Sequence, residues 1–212
     1  WKYNEKLSFE GEHYRFTLMT PEFVPEGSGI HLPPVTLAAV GPVMIKTAAE
    51  VADGIRLHGF CTSKYFEETI KPRIEMGLKV AGKARKNFEV SGGGFIATGP
   101  DNRAVDDATE VVRYRVGFYG STPAYKVVLE QHGWEGIQLE LNSLSKKGLW
   151  QDMPSLISDE MLESIAVTGS PNEVSAMILD RYGSIASRIA PSIFSGDPEV
   201  NKELIKSLKD KL

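Results

Sequence analysis

A nearly apolar run, PVTLAAV (34–40), stops at Gly41-Pro42 and gives way to VMIKTAAEVAD, whose Val43, Ile45, Ala48, Ala49 and Ala52 recur at helical spacing. The run is too short for a typical helix and offers apolar residues to both faces of an extended chain, so it predicts a strand buried on both sides. Pro42 suits a first helical turn, where its missing N–H has no partner to lose. The same order returns. IRLHGF (55–60) leads into CTSKYFEETIKPRIEMGLKVAG, a long amphipathic helix that Gly82 caps and Pro72 should kink or split near Lys71. FEVSGGGFIATG (88–99) is a third strand with three central glycines, which weaken a strand unless a bend or a close backbone approach needs them. IASRIAPSIF (185–194) supplies a fourth strand and VNKELIKSLKDKL a terminal helix. Strands separated by helices pair in parallel through right-handed crossovers. A (β/α)8 barrel needs eight strands and typically about 250 residues. With four strands in 212 residues, the chain reads as half a barrel.

One domain is expected, divided into a flap and loop (1–33), three β/α units (34–103), a helical section (104–184) and the last strand with its helix (185–212). FEGEHYRFTLM (9–19) alternates aromatic and polar residues around Gly11, as a short hairpin or extended flap does. TPEFVPEGSGIHLPP, rich in Pro and Gly, is loop. Within the helical section, SDEMLESIAVTG (158–169) reads as helix, and SPNEVSAMILDRYG carries the clearest punctuation: Ser170 as N-cap, Pro171 first, Glu173 near the capping-box position, Gly183 at the end.

Composition removes several classes of function. With 42% hydrophobic and 25% charged residues the chain can bury a sizeable core. A net charge of −4 without a dense basic block argues against nucleic acid as a partner. No apolar run nears the roughly 18 residues that span a bilayer, and WKYNEKLSFEGEHYRF lacks the basic start and apolar stretch of a signal peptide. The single cysteine, Cys61, fits a reducing compartment, so the cytoplasm is the expected location. His13, His31 and His132 have no metal-ligand spacing, so no metal site is expected.

At GEHYRF, at AAVGP with AAEVADGI behind it, and at SPNEVSAMILDRYG, the sequence resembles the carboxy-terminal part of the bacterial luciferase-like oxidoreductases, most closely the branch that uses the deazaflavin coenzyme F-420. The resemblance runs in order along nearly the whole chain. It implies an α/β fold of the (β/α)8 TIM-barrel type with only the carboxy-terminal half, four parallel strands, present. The first word, Trp1, is no initiator methionine, and a fragment or a truncated product is expected. The implied activity is hydride transfer between a small organic substrate and coenzyme F-420. One alternative is an FMN-dependent monooxygenase of the same family. Another is a non-catalytic half-barrel, whose two bare edges and large apolar face would make it associate with itself or with a separate amino-terminal half. No catalytic residue is assigned, because the ring-gripping and acid or base residues of relatives fall largely in the absent half.

By position, Ala39, Val40, Gly41 and Pro42 match the loop that holds the cofactor phosphate in this family. The physics agrees, since a helix start offers unpaired N–H groups and partial positive charge, and glycine lets the backbone come close. The plain alternative is a tight strand-to-helix turn. Thr62 and Lys64 match, with a one-residue gap, a Thr and a Lys that bind the substrate phosphate in sugar-phosphate-oxidising relatives. Alternatively Thr62 or Ser63 caps a helix and Lys64 is solvated. His58 stands near the mouth of the expected barrel, either polarising a substrate hydroxyl or carbonyl or packing as an ordinary histidine. Cys61 reads as a small buried residue, and Tyr114, Phe118, Tyr119 and Trp134 as helix packing.

Overall fold

The computed structural model describes residues 5–24, 33–184 and 186–211. The chain forms two compact units, Trp1–Pro33 and Pro34–Leu212. In the first, β1 (Phe9–Glu10) pairs antiparallel with β2 (Arg15–Phe16), and the Gly11 N–H closes the turn on the Tyr14 carbonyl at 2.9 Å. This is the hairpin that alternation predicts. A 3-10 turn follows at Pro21–Phe23, and residues 25–32 of the expected loop lie outside the described residues.

In the second unit β3 (Thr36–Ala39), α1 (Pro42–Val51) and β4 (Gly54–Leu57) give the expected strand, turn, helix and strand. The segment after β4 runs as α2 (Ser63–Tyr65), a π-helical turn (Phe66–Ile70) and α3 (Lys71–Ala81), which Gly82 ends at φ 63°. Pro72 therefore does not split the helix. The turn before it widens instead, the Lys71 N–H donating to the Phe66 carbonyl, which is one of the ways a helix takes up a local disruption. β5 (Glu89–Gly92) and β6 (Phe95–Thr98) are two halves of one strand, parted at Gly93-Gly94. Then come α4 (Asn102–Gly120), α5 (Lys126–Glu130), α6 (Glu135–Lys146), α7 (Asp159–Ile165), β7 (Ala166–Gly169), α8 (Pro171–Tyr182), β8 (Arg188–Ile189), β9 (Ser192–Ile193) and α9 (Pro198–Asp210).

The strands form two parallel sheets, β3-β4-β5-β8 and β7-β6-β9. The N–H groups of Ser187, Ala190, Ser192 and Phe194 donate in turn to the carbonyls of Val90, Gly92, Gly94 and Ile96. Residues 187–194 thus occupy one edge of the split strand along its length, so β4 and β7 must share the other edge in tandem. β7 corrects the sequence reading, in which 158–169 is helix and the parallel strands number four. The apolar spacing of α7 runs into Ala166-Val167 without a break, and only the β-branched pair Val167-Thr168 before Gly169 marks the change.

The sheet is open: among the described residues β3 has a neighbour on one side only, and so does β8. The expectation that β3 is buried on both faces fails, because nothing among the described residues covers the face of Thr36 and Ala38, which are exposed while Ala39 is buried. Ile55, Leu57 and Val90 turn toward Ile45, Ala49, Ile74 and Leu78 of α1 and α3. The opposite face carries the row Ala38, Arg56, Ser91 and Arg188, with Arg188 paired to Glu89 at 3.0 Å. That face is polar, not the large apolar surface expected of bare barrel strands. The second sheet lies between helices on both sides: Phe95 and Ala97 join the cluster of Ala108, Val112 and Val116 from α4, whereas Ile96 and Val167 join Val174 and Ile178 of α8 and Leu204 of α9.

α1 and α3 cross at Gly77, where a Cβ would stand 2.7 Å from that of Ala49 and press on the Lys46 carbonyl. Gly77→Ala is expected to cost about 1–3 kcal/mol through overpacking. It should appear as a lower urea midpoint at unchanged slope. Among the described residues no helix is long and apolar enough to cross a membrane, and no group of three or more His, Cys, Asp or Glu is arranged to hold a metal ion.

Candidate ligand site at the strand ends

Parallel strands deliver their following loops to one end of a sheet, so the corner after β3 and the loop after β4 are neighbours. At the corner, Gly41 is the N-cap of α1 with φ −75° and ψ 153°, an extended conformation open to any residue. Among the described residues, a Cβ at Gly41 would meet nothing within 4 Å. The helix start also lacks a side-chain cap and has no acidic residue in its first turn. By contrast α2, α4, α7, α8 and α9 begin under an oxygen of Thr62, Asp101, Ser158, Ser170 and Asp197. Among the described residues the leading N–H groups of α1 are left without a side-chain acceptor.

Tyr65 ties this corner to the next loop. Its buried hydroxyl donates to the Val40 carbonyl at 2.9 Å, and burial pushes the phenol up to about 12, so it remains a donor. Thr62 is buried and caps α2: Oγ1 accepts the Tyr65 N–H at 3.0 Å and lies 2.8 Å from His132 Nε2. Its hydroxyl is engaged twice inside the protein. Lys64 is exposed on α2, and its charge reaches His132, which stacks on Trp134 with ring centroids 4.2 Å apart. His132 and Tyr65 thus belong to the site's framework, though sequence spacing marks neither. Cys61 is buried, its thiol pushed up to about 12 by burial, which leaves it inert as a nucleophile at neutral pH.

His58 follows β4 directly. Its Nδ1 accepts the Phe60 N–H at 3.0 Å, which puts the ring proton on Nε2. The rings of Tyr119, Tyr125 and Phe95 surround it at centroid distances of 4.5, 4.8 and 6.0 Å. Burial lowers the pKa of His58; burial first and then Lys64 lower that of His132, against opposing pulls from Glu160 and Glu68. Both rings bind a proton more weakly folded than unfolded, so their contribution to stability is complete above the unfolded value of 6.5 and is lost as pH falls below it. The urea midpoint is expected to be lower at about pH 5.5 than at about pH 7.5. The difference should shrink in a variant carrying His58→Gln and His132→Gln.

The glycines of SGGGF leave room for the protein itself. A Cβ on Gly93 would stand 2.8 Å from the Pro191 nitrogen, and Gly94, at φ 66°, lies beneath the Tyr182 hydroxyl. A concavity of about 630 Å³ lies between Ser63, Glu67, Glu163, Asp180 and Arg181, with none of the corner residues 39–42 in its lining. Its one guanidinium is spent on the carbonyls of Glu163, Ser164 and Ala166. Three carboxylates there disfavour a phosphate.

Parallel strands alternating with helices, with a bare helix start at a strand end, define an α/β protein of the kind seen in the luciferase-like TIM-barrel enzymes. The chain belongs to the luciferase-like monooxygenase family, whose sequence profile matches residues 1–188. An uncharacterized protein of Mycobacterium tuberculosis is 40% identical over 199 residues, 94% of this chain and 58% of that protein. The 5,10-methylenetetrahydromethanopterin reductase of Archaeoglobus fulgidus is 26% identical over 220 residues, covering 96% of this chain and 61% of the reductase. Among solved structures, the coenzyme F-420-dependent tetrahydromethanopterin reductase from Methanopyrus kandleri matches with a TM-score of 0.69 at 25% identity, over 95% of this chain and 55% of that one. An EDTA monooxygenase from Chelativorans shares the fold, with a TM-score of 0.62 at 14% identity over 97% and 50% of the two chains. The chain therefore spans a little over half the length of the curated relatives it matches.

Proposed function

We propose that the chain carries the phosphate-holding corner of an oxidoreductase that moves hydride between a small organic substrate and coenzyme F-420. Gly41 carries the reading. The fold needs neither its torsions nor the space beside it, since any residue adopts φ −75° and a Cβ would enter open room. A phosphate seated there would accept from the leading N–H groups of α1 and sit at the positive end of its dipole. Ala39, Val40, Gly41 and Pro42 would hold it, with Tyr65 fixing the Val40 carbonyl from behind. The bound coenzyme would supply the hydride-accepting ring. In the neighbouring loop Lys64 offers an exposed cation to an anionic substrate, while Thr62, spent on its cap and on His132, positions that loop. The likeness to an F-420-dependent reductase supports the choice of cofactor. FMN also carries a phosphate, so an FMN-dependent monooxygenase is the alternative use of this corner. Separate fluorescence titrations with F-420 and FMN test the reading: saturation by F-420 is expected, saturation by FMN alone would favour the alternative, and silence from both would overturn it.

The open edges of the sheet favour a second reading for the polypeptide by itself, a half-barrel that pairs with another copy or with a separate amino-terminal piece. Light scattering after size exclusion is expected to give a mass above that of one chain. A monodisperse monomer would count against it.

A further inference from the structure

We propose that His58 is a ligand-facing residue, its Nε2–H donating to an uncharged oxygen, carbonyl or hydroxyl, of the molecule bound at these strand ends; the inference rests on the reading of the Gly41 corner given above. Four observations carry it. The Phe60 N–H occupies Nδ1, so the proton is confined to Nε2. Among the described residues Nε2 has no hydrogen-bond partner, although the ring is half-buried. The contrast is His132, equally half-buried, whose Nε2 meets the Thr62 hydroxyl at 2.8 Å. The unpaired Nε2 is not one of the fully buried polar atoms, so it reaches solvent, where a ligand oxygen can take the place of water.

The third observation is place. His58 stands at the carboxy end of β4 and shares a cavity of about 10 Å³ with Ala39, Val40 and Tyr65 of the corner. That volume is close to the minimum for one water, so a ligand would approach over the opening and not occupy the cavity itself. The fourth is rigidity. Phe95 from β6 and Tyr119 and Tyr125 from the helical section close on the ring from three elements, fixing the direction of the one free N–H. The chemistry then selects the acceptor. A neutral imidazole in aromatic surroundings can donate to a carbonyl or hydroxyl oxygen but brings no charge to neutralise a carboxylate or phosphate.

The test uses the full chain, with coenzyme F-420 and FMN as separate probes, and compares wild type with His58→Phe and His58→Gln. His58→Phe keeps a ring in the aromatic box and removes the donor, whereas His58→Gln returns an N–H near the position of Nε2. Expected are binding weakened about tenfold in His58→Phe, as loss of one well-placed hydrogen bond implies, and restored to within about threefold in His58→Gln. In wild type, nitrogen-15 NMR should report a neutral ring protonated at Nε2, and that nitrogen should shift on saturation with the probe. Wild-type binding with His58→Phe unchanged, or with His58→Gln as weak as His58→Phe, overturns the role of His58 and leaves the corner standing. Failure of wild type to bind either probe overturns the corner and this inference with it. Should His58→Phe fold poorly, the wild-type Nε2 signal decides: no shift at saturation overturns the proposal.

Discussion

Gly41→Asp is expected to stabilise the ligand-free protein by about 0.5–1 kcal/mol and, if the corner holds a phosphate as proposed, to weaken its binding. The two effects share one cause. α1 starts without a side-chain cap, and Asp is a better cap than Gly and a favourable charge at a helix start. The space into which its side chain would grow is empty, so no steric cost opposes the gain. That same carboxylate would take the N–H groups a phosphate requires and repel it. Two like charges about 4 Å apart near a surface repel by roughly 1–4 kcal/mol, and each 1.4 kcal/mol is tenfold in affinity, so a loss of about five- to 700-fold is expected. Urea unfolding and cofactor titration of one protein preparation measure both. If Gly41 merely makes a tight turn, the variant gains or loses stability without touching affinity. A gain in stability joined to a loss of binding is what a site retained at the expense of the fold produces.

This separation was not available from sequence. Gly41-Pro42 announces a strand-to-helix corner equally well whether glycine serves the turn or a ligand, and the torsions and open space around the Cα add that the turn itself does not require glycine. Local signals fared well elsewhere: Ser170 and Glu173 form the capping box that their spacing predicts, and Gly82 ends its helix with positive φ. Signals depending on distant partners did not. Thr62 reads equally as cap or phosphate ligand until His132, 70 residues later, is found on its hydroxyl. Tyr65 looks like one more aromatic on an amphipathic helix until its hydroxyl reaches Val40. β7 is illegible in sequence because four residues give alternation too little room to declare itself after a helix of similar composition. The burial of β3 departs from its sequence for a different reason: an apolar run reports what a strand can bury, and the uncovered face of Thr36 and Ala38 leaves that capacity unused.

Gly94→Ala is expected to be strongly destabilising. The strand 89–98 turns there at φ 66°, a conformation that costs an L-residue roughly 1–2 kcal/mol. The new methyl would also press on the Tyr182 hydroxyl, adding about 1–3 kcal/mol of overpacking. The sum, about 2–5 kcal/mol, is a large part of the roughly 5–15 kcal/mol that holds a typical domain. The two causes can be told apart because the hydroxyl is itself dispensable. Tyr182 is buried, and among the described residues its Oη has no partner at hydrogen-bonding geometry, so Tyr182→Phe is expected to be neutral or to stabilise by up to about 1 kcal/mol. Combined with Gly94→Ala it should relieve the steric share and leave about 1–2 kcal/mol of backbone strain. Urea unfolding of the four members of this cycle reads the coupling directly. Additive effects would mean that the methyl and the hydroxyl never meet, and that the glycine serves the bend alone.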